Sequence, residues 1–182
     1  MFHSNTERMI GYWRSLKGGD IAPARADFDP KAVTVLLPQT FMLARAPGLP
    51  FRLAGGLLED LHGRSLRNES LLKLWAPEGR AAVRDAAAAC LTGRDPAILY
   101  AEGVTADGRR AGFELMFAPL IGPAGQIDRL LGHYQPISAL AQLNREPISE
   151  LFHKLTVYAG EDATQPKTGH LRLAAVDGRR IA

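Results

Sequence analysis

Few residues in this chain have the types and spacings that catalysis or metal binding needs. The single cysteine, Cys90, stands in the alanine-rich run Ala89-Cys90-Leu91. That setting suits a buried small hydrophobe better than a reactive thiol. Of the five histidines, His62 and His133 fall where a core is expected, and either has the chemistry of an axial iron ligand. Glu150 and His153 have the i, i+3 spacing of some metal ligands. They stand alone, whereas metal sites need three or four ligands, so a solvated helix face accounts for them and no metal is expected. Asp27 and Asp29 could be read as paired carboxylates. Asp29 precedes Pro30 and reads as a helix cap, and Asp27 as a loop carboxylate near Arg25. No strand-to-helix Gly-x-Ser-x-Gly, phosphate-cradling glycine loop or dinucleotide fingerprint occurs. The residues give an enzyme no positive support, and no catalytic residue is assigned.

The 182 residues are 46% hydrophobic and 23% charged, the balance of one globular domain. A formal charge of +3 with scattered arginines does not make a nucleic-acid footprint, which needs basic residues gathered on one face. One cysteine excludes an internal disulfide and suits a reducing compartment. The first ten residues lack the order of a signal peptide, and no apolar run approaches the roughly 18 residues that span a bilayer. A cytoplasmic protein without direct membrane insertion is expected.

Any site must be positioned by elements legible from periodicity. Met9, Ile10, Trp13 and Leu16 recur at helical intervals after a Ser4/Glu7 capping-box spacing, and Gly18-Gly19 ends the pattern. This predicts an amphipathic N-terminal helix. A short helix follows from Lys31 to Leu37. Thr40–Arg45 and Phe51–Ala54 read as a strand pair, and Leu57–Leu61 and Leu71–Trp75 as short helical pieces. A longer helix runs from about Glu78 to Leu91. Ala97–Thr105, Arg110–Leu120 and Ile127–Tyr134 then read as three antiparallel strands joined by glycine-bearing turns. Along the middle one, Phe113, Leu115 and Phe117 share one face, and Glu114, Met116 and Ala118 the other. Helices between two antiparallel sections predict an α+β domain, with five strands in one sheet and the helices covering one face. Ile148–Tyr158 could be helical or extended, Gly160–Gly169 is loop-like, and Leu171–Val176 reads as a strand. Residues 137–182 are treated as a tail of uncertain structure.

That order resembles a PAS domain, and the local wording is similar to the small single-PAS proteins of alphaproteobacterial type. The matching pieces are Tyr12-Trp13, the stretch from Pro23 to Pro30, Leu36-Leu37-Pro38, Phe51-Arg52-Leu53-Ala54-Gly55, and Gly63 with Leu66. Phe113-Glu114, Pro119-Leu120 and Leu130-Leu131-Gly132 complete them. The resemblance covers residues 6 to 136, and divides the chain into an N-terminal helical cap region (1–38), a PAS core (39–136) and the tail (137–182). It implies a sensory and interaction module that regulates bacterial signalling by binding signalling proteins, often as a homodimer. It also implies a space between sheet and helices that either holds a small ligand or is packed shut. Trp75, Tyr100, Phe113, Met116 and Tyr134, with Arg52 as a polar anchor, are the candidate pocket residues. An inward Arg52 must be paired or bind an anion, whereas an outward one decorates the sheet.

Flavin photosensors of this fold carry a reactive cysteine in an Asn-Cys-Arg motif, which is absent here. Haem-binding members place their histidine in the long cover helix, where neither His62 nor His133 lies. No cofactor is therefore expected. Ile10 and Trp13 mark the N-terminal helix as the candidate partner or dimer surface, unless its stripe is buried on its own sheet. The alternative is a small α+β ligand-binding protein or isomerase-like enzyme with a conical-sheet cavity. Such an enzyme needs a buried Asp, and the last three strands contain only Asp107 and Asp128, both at turn-like positions.

Overall fold

A computed structural model describes residues 1–93 and 95–160. The chain opens with helix α1 (Ser4–Lys17). Its cap is His3, not Ser4: the His3 Nδ1 accepts the Asn5 N–H at 3.1 Å, and Glu7 accepts the Phe2 N–H. A 3-10 segment, Pro30–Gln39, follows, with Asp29 capping it through the Lys31 N–H at 2.9 Å. Then come strands β1 (Thr40–Ala44) and β2 (Phe51–Ala54), and helix α2 (Gly56–His62). A 3-10 turn (Leu71–Leu74) leads to helix α3 (Arg80–Leu91). The chain continues with β3 (Ala97–Thr105), β4 (Arg110–Ile121), β5 (Ile127–Pro136) and β6 (Ile148–Tyr158).

The strands form one antiparallel sheet in the order β2-β1-β5-β4-β3-β6. Five strands were expected, and the sixth comes from Ile148–Tyr158, whose half-buried pattern left helix and strand open. Segment 137–147 carries the chain across the helix-facing side of the sheet, where Leu143 joins the core. It delivers β6 to the free edge of β3, where unpaired backbone would otherwise be exposed. Both outer edges are themselves partly covered. Ala76 donates to the Leu151 carbonyl on β6, and Phe51 on β2 bonds Asn68 and Glu69. Leu171–Val176 lies outside the described residues, as does all of 161–182.

The sheet is buried on both faces, by different elements. α2, the Leu71–Leu74 turn and α3 pack on the face carrying Phe41, Leu99, Phe113, Leu115, Phe117 and Tyr134. α1 packs on the other, against Met42, Ile98, Met116, Ala118 and Leu131. The helices between the two strand sections cover one face as expected, and α1, left open between its own sheet and a dimer, buries Met9, Ile10 and Trp13 on the other face of the chain's own sheet. Trp13 is fixed there by its Nε1–H, which donates to the Pro119 carbonyl at 2.8 Å.

Candidate functional site

On the helix-covered face the core is aromatic and apolar, with a few polar atoms that find no partner. Tyr134 projects from β5, between β1 and β4 in the sheet, and its ring lies 4.8 Å from Phe113 and 6.0 Å from His62. Its hydroxyl is buried and unpartnered. Desolvation pushes its ionisation far up, so it is a neutral donor and acceptor.

His62 ends α2 where Gly63 turns the chain at φ +62°. A side chain at Gly63 would meet Pro147, so the turn also needs glycine to let the crossing segment approach. The His62 Nδ1 lies 3.3 Å from the Ile148 carbonyl. This assigns the proton to Nδ1 and leaves Nε2 an acceptor, buried and without a partner. Burial lowers its pKa to about 4, the Ile148 carbonyl opposing and the Arg64 charge adding slightly. Trp75 Nε1–H is the third orphan of this face. Buried polar atoms are nearly always hydrogen-bonded, to protein or to ordered water, so each of the three has the capacity for a further partner. Beside them, Leu57, Leu61, Leu140 and Leu143 line a groove of about 540 Å³ between α2 and the crossing segment, rimmed by Asp60, Arg145 and Glu146. Leu61 and Leu143 of this groove also belong to the apolar cluster that contains Tyr134.

Of the six expected pocket residues, Trp75, Phe113 and Tyr134 share this face. Met116 and Tyr100 lie on the opposite face, near α1. Strand alternation already separates Met116 from Phe113. Tyr100 is half-buried beside Phe2, with a pKa raised by desolvation and then by Glu114. Arg52 points outward and reaches Asn68 Oδ1 at 3.5 Å. His62 was read as a haem candidate only, and no sequence pattern marks its orphaned nitrogen, which depends on the distant Ile148.

Cys90 lies in α3 with its thiol directed at the Phe117 carbonyl, 3.5 Å away. Burial pushes its pKa up to about 12, so it stays a protonated thiol. Glu150 and His153 lie in a strand, not a helix, so three-residue spacing puts them on opposite faces. His153 packs near Trp75 and bonds Thr156. Asp107 forms an exposed turn with Thr105 and Arg109. Asp128, the second residue of β5, pairs one carboxylate oxygen with Arg129 at 3.3 Å, and its other oxygen is buried without a partner beside Gly122. Among the described residues no group of three metal-ligating side chains occurs, and no helix is long and apolar enough to cross a membrane.

A family model described as a PAS domain matches residues 1–135. No curated protein sequence matches the chain. Among solved structures, an RNA-binding Light-Oxygen-Voltage receptor is 19% identical, with a TM-score of 0.47 over 64% of this chain and 35% of that one. The chain thus spans about a third of that receptor's length. A Light-Oxygen-Voltage domain studied with a flavin analogue is 17% identical, with a TM-score of 0.49 over 63% and 87% of the two chains. The PAS domain of a Colwellia psychrerythraea protein is 16% identical, with a TM-score of 0.48 over 59% and 96%.

Proposed function

The chain belongs to the PAS domain family, and from that premise we propose that it is a non-enzymatic sensory and interaction module. It regulates a bacterial signalling pathway by binding signalling proteins in the cytoplasm, and a small ligand between sheet and helices tunes it. The orphaned pair on the helix-covered face carries this reading: His62 Nε2 and the Tyr134 hydroxyl, both buried, with ring centroids 6.0 Å apart. A neutral imidazole acceptor beside a neutral phenol suits an uncharged polar group bridging them. A charged ligand would find no counter-ion in this pair, since the His62 imidazole and the Tyr134 phenol are both held neutral by burial. In this reading Trp75, Phe113 and Tyr134 line the site; Arg52, Tyr100 and Met116 lie outside it.

Non-catalysis is supported by the state of the reactive groups. The one thiol is held protonated by burial, and the buried Glu114 carboxylate is occupied by the His3 N–H, 3.1 Å from both oxygens. Since Ile10 and Trp13 are buried within the chain, a homodimer would use the exposed side of α1 and the neighbouring sheet edge, where Leu155 and Tyr158 are exposed.

A ligand that binds only the folded state raises its melting temperature. The test compares protein as isolated with protein unfolded in guanidinium, desalted and refolded. The stripped form should melt several degrees lower, and equal melting temperatures would remove the ligand from this reading.

A further inference from the structure

We infer that residues 139–146, which cross the helix-facing side of the sheet on the way to β6, form a strap that opens apart from the rest of the fold and is the entrance to its interior. What passes through rests on the ligand reading above; the opening itself does not.

The strap is pinned at both ends. Before it, the Ile137 N–H donates to the Gly112 carbonyl of β4 at 2.9 Å, and the Gly112 N–H donates to the Ser138 hydroxyl at 2.9 Å. After it, Pro147 lies against Gly63, and the Ile148 carbonyl meets His62 Nδ1 at 3.3 Å. Between the pins its backbone bonds are internal: Gln142 N–H to Ala139, Asn144 N–H to Ala141 and Glu146 N–H to Leu143. Among the described residues no hydrogen bond joins 139–146 to another element. The neighbouring loop over residues 64–70 is built differently. It is bonded to β2 through Phe51 and to α2 through Glu59, which accepts the Leu66 N–H.

Every residue of the strap except Leu140 and Leu143 is exposed. Leu143 is 2% exposed and Leu140 half-buried, so two leucine side chains hold it down. They share a groove of about 540 Å³ with Leu57 and Leu61 of α2. Close-packed surfaces leave no such space, so even this contact is incomplete. Backbone strain acts in the same direction. Asn144 and Arg145 are consecutive left-handed residues, with φ 51° and 63°. Asparagine tolerates that conformation, but in arginine the Cβ is crowded. Lifting the strap relieves the crowding. It also uncovers Leu61, the residue before His62 on α2 and a member of the apolar cluster that contains Tyr134.

Reaction of Leu143→Cys with iodoacetamide, a small neutral probe, tests this in the full chain. The native Cys90, buried in α3, is the internal reference, and peptide mass spectrometry separates the two sites. The introduced thiol should react at least about tenfold faster than Cys90, because a local opening is more frequent than loss of a core helix. Adding Arg145→Gly, which removes the crowding, should slow it about threefold. Equal rates at the two thiols, or a rate unmoved by Arg145→Gly, would overturn the inference. If Leu143→Cys fails to fold, limited subtilisin digestion of the wild type decides: the first cut should fall within 139–146, and a first cut within 64–70 would overturn it. The melting comparison above reads the ligand and these measurements read the strap, so either can fail alone.

Discussion

Two buried histidines and one buried tyrosine give this domain its chemistry, and each is defined by what it lacks. His62 and His133 sit on opposite faces of the sheet, both with pKa values lowered to about 4 by desolvation. The unfolded chain binds their protons near pH 6.5 and the folded one does not. Between pH 6.5 and 4 the unfolded state therefore holds more protons, and stability falls as pH falls. The limit is about 1.4 kcal/mol per pH unit for each histidine. Urea denaturation at pH 7, 6 and 5 should show this slope, and His62→Leu should remove one histidine's share; an unchanged slope would contradict the burial of His62. Trp75, Phe113 and Tyr134 share the helix-covered face, since aromatic residues on strands and beside them fill cores. The sequence could not distinguish His62 from a surface helix end. Its environment is made by Ile148, eighty-six residues later, and by a strand that local periodicity left open.

At the scale of elements, the tight packing of strands against aromatics yields opposite expectations for two glycines. Gly132 on β5 faces the Phe41 ring so closely that a methyl group there would collide with it. Phe41 is held by Phe51 and Phe117 at 5.6 and 6.1 Å and has nowhere to go. Gly132→Ala should destabilise by about 1–3 kcal/mol. Gly11, exposed in α1 with open space around it, should stabilise on change to Ala by about 0.5–1 kcal/mol. Thermal denaturation of both variants checks the pair, and a loss at both positions would contradict the packing described. Helix α3 and strands β3 to β5 were legible nearly to the residue, since alternation and glycine turns are local signals. β6 was not. Its burial pattern reflects an edge strand half-covered by α3 and the Trp75–Ala76 backbone, so neither period dominates. The cap of α1 was misplaced by one residue because histidine is an uncommon cap, and Ser4 offered a familiar one.

Across the whole molecule, one sheet separates two unlike compartments. The helix-covered face holds the unpartnered His62 Nε2 and Tyr134 hydroxyl, and a leucine-lined groove lies between α2 and segment 137–147. The outer face holds α1, packed down through Thr6, Met9, Ile10 and Trp13. The sheet order ties them together, since Tyr134 and His133 are neighbours on β5 and point to opposite sides. An occupant of the proposed site that shifts Tyr134 would act on the strand packed beneath α1, a physical route from binding to surface change. This route depends on the proposed ligand. Native mass spectrometry of freshly purified wild-type protein and of Tyr134→Phe tests that directly. The wild type should retain a small uncharged molecule as added mass, and the variant should lose it while remaining folded, because removing an orphaned hydroxyl costs little. A wild-type mass equal to that of the bare chain would contradict it.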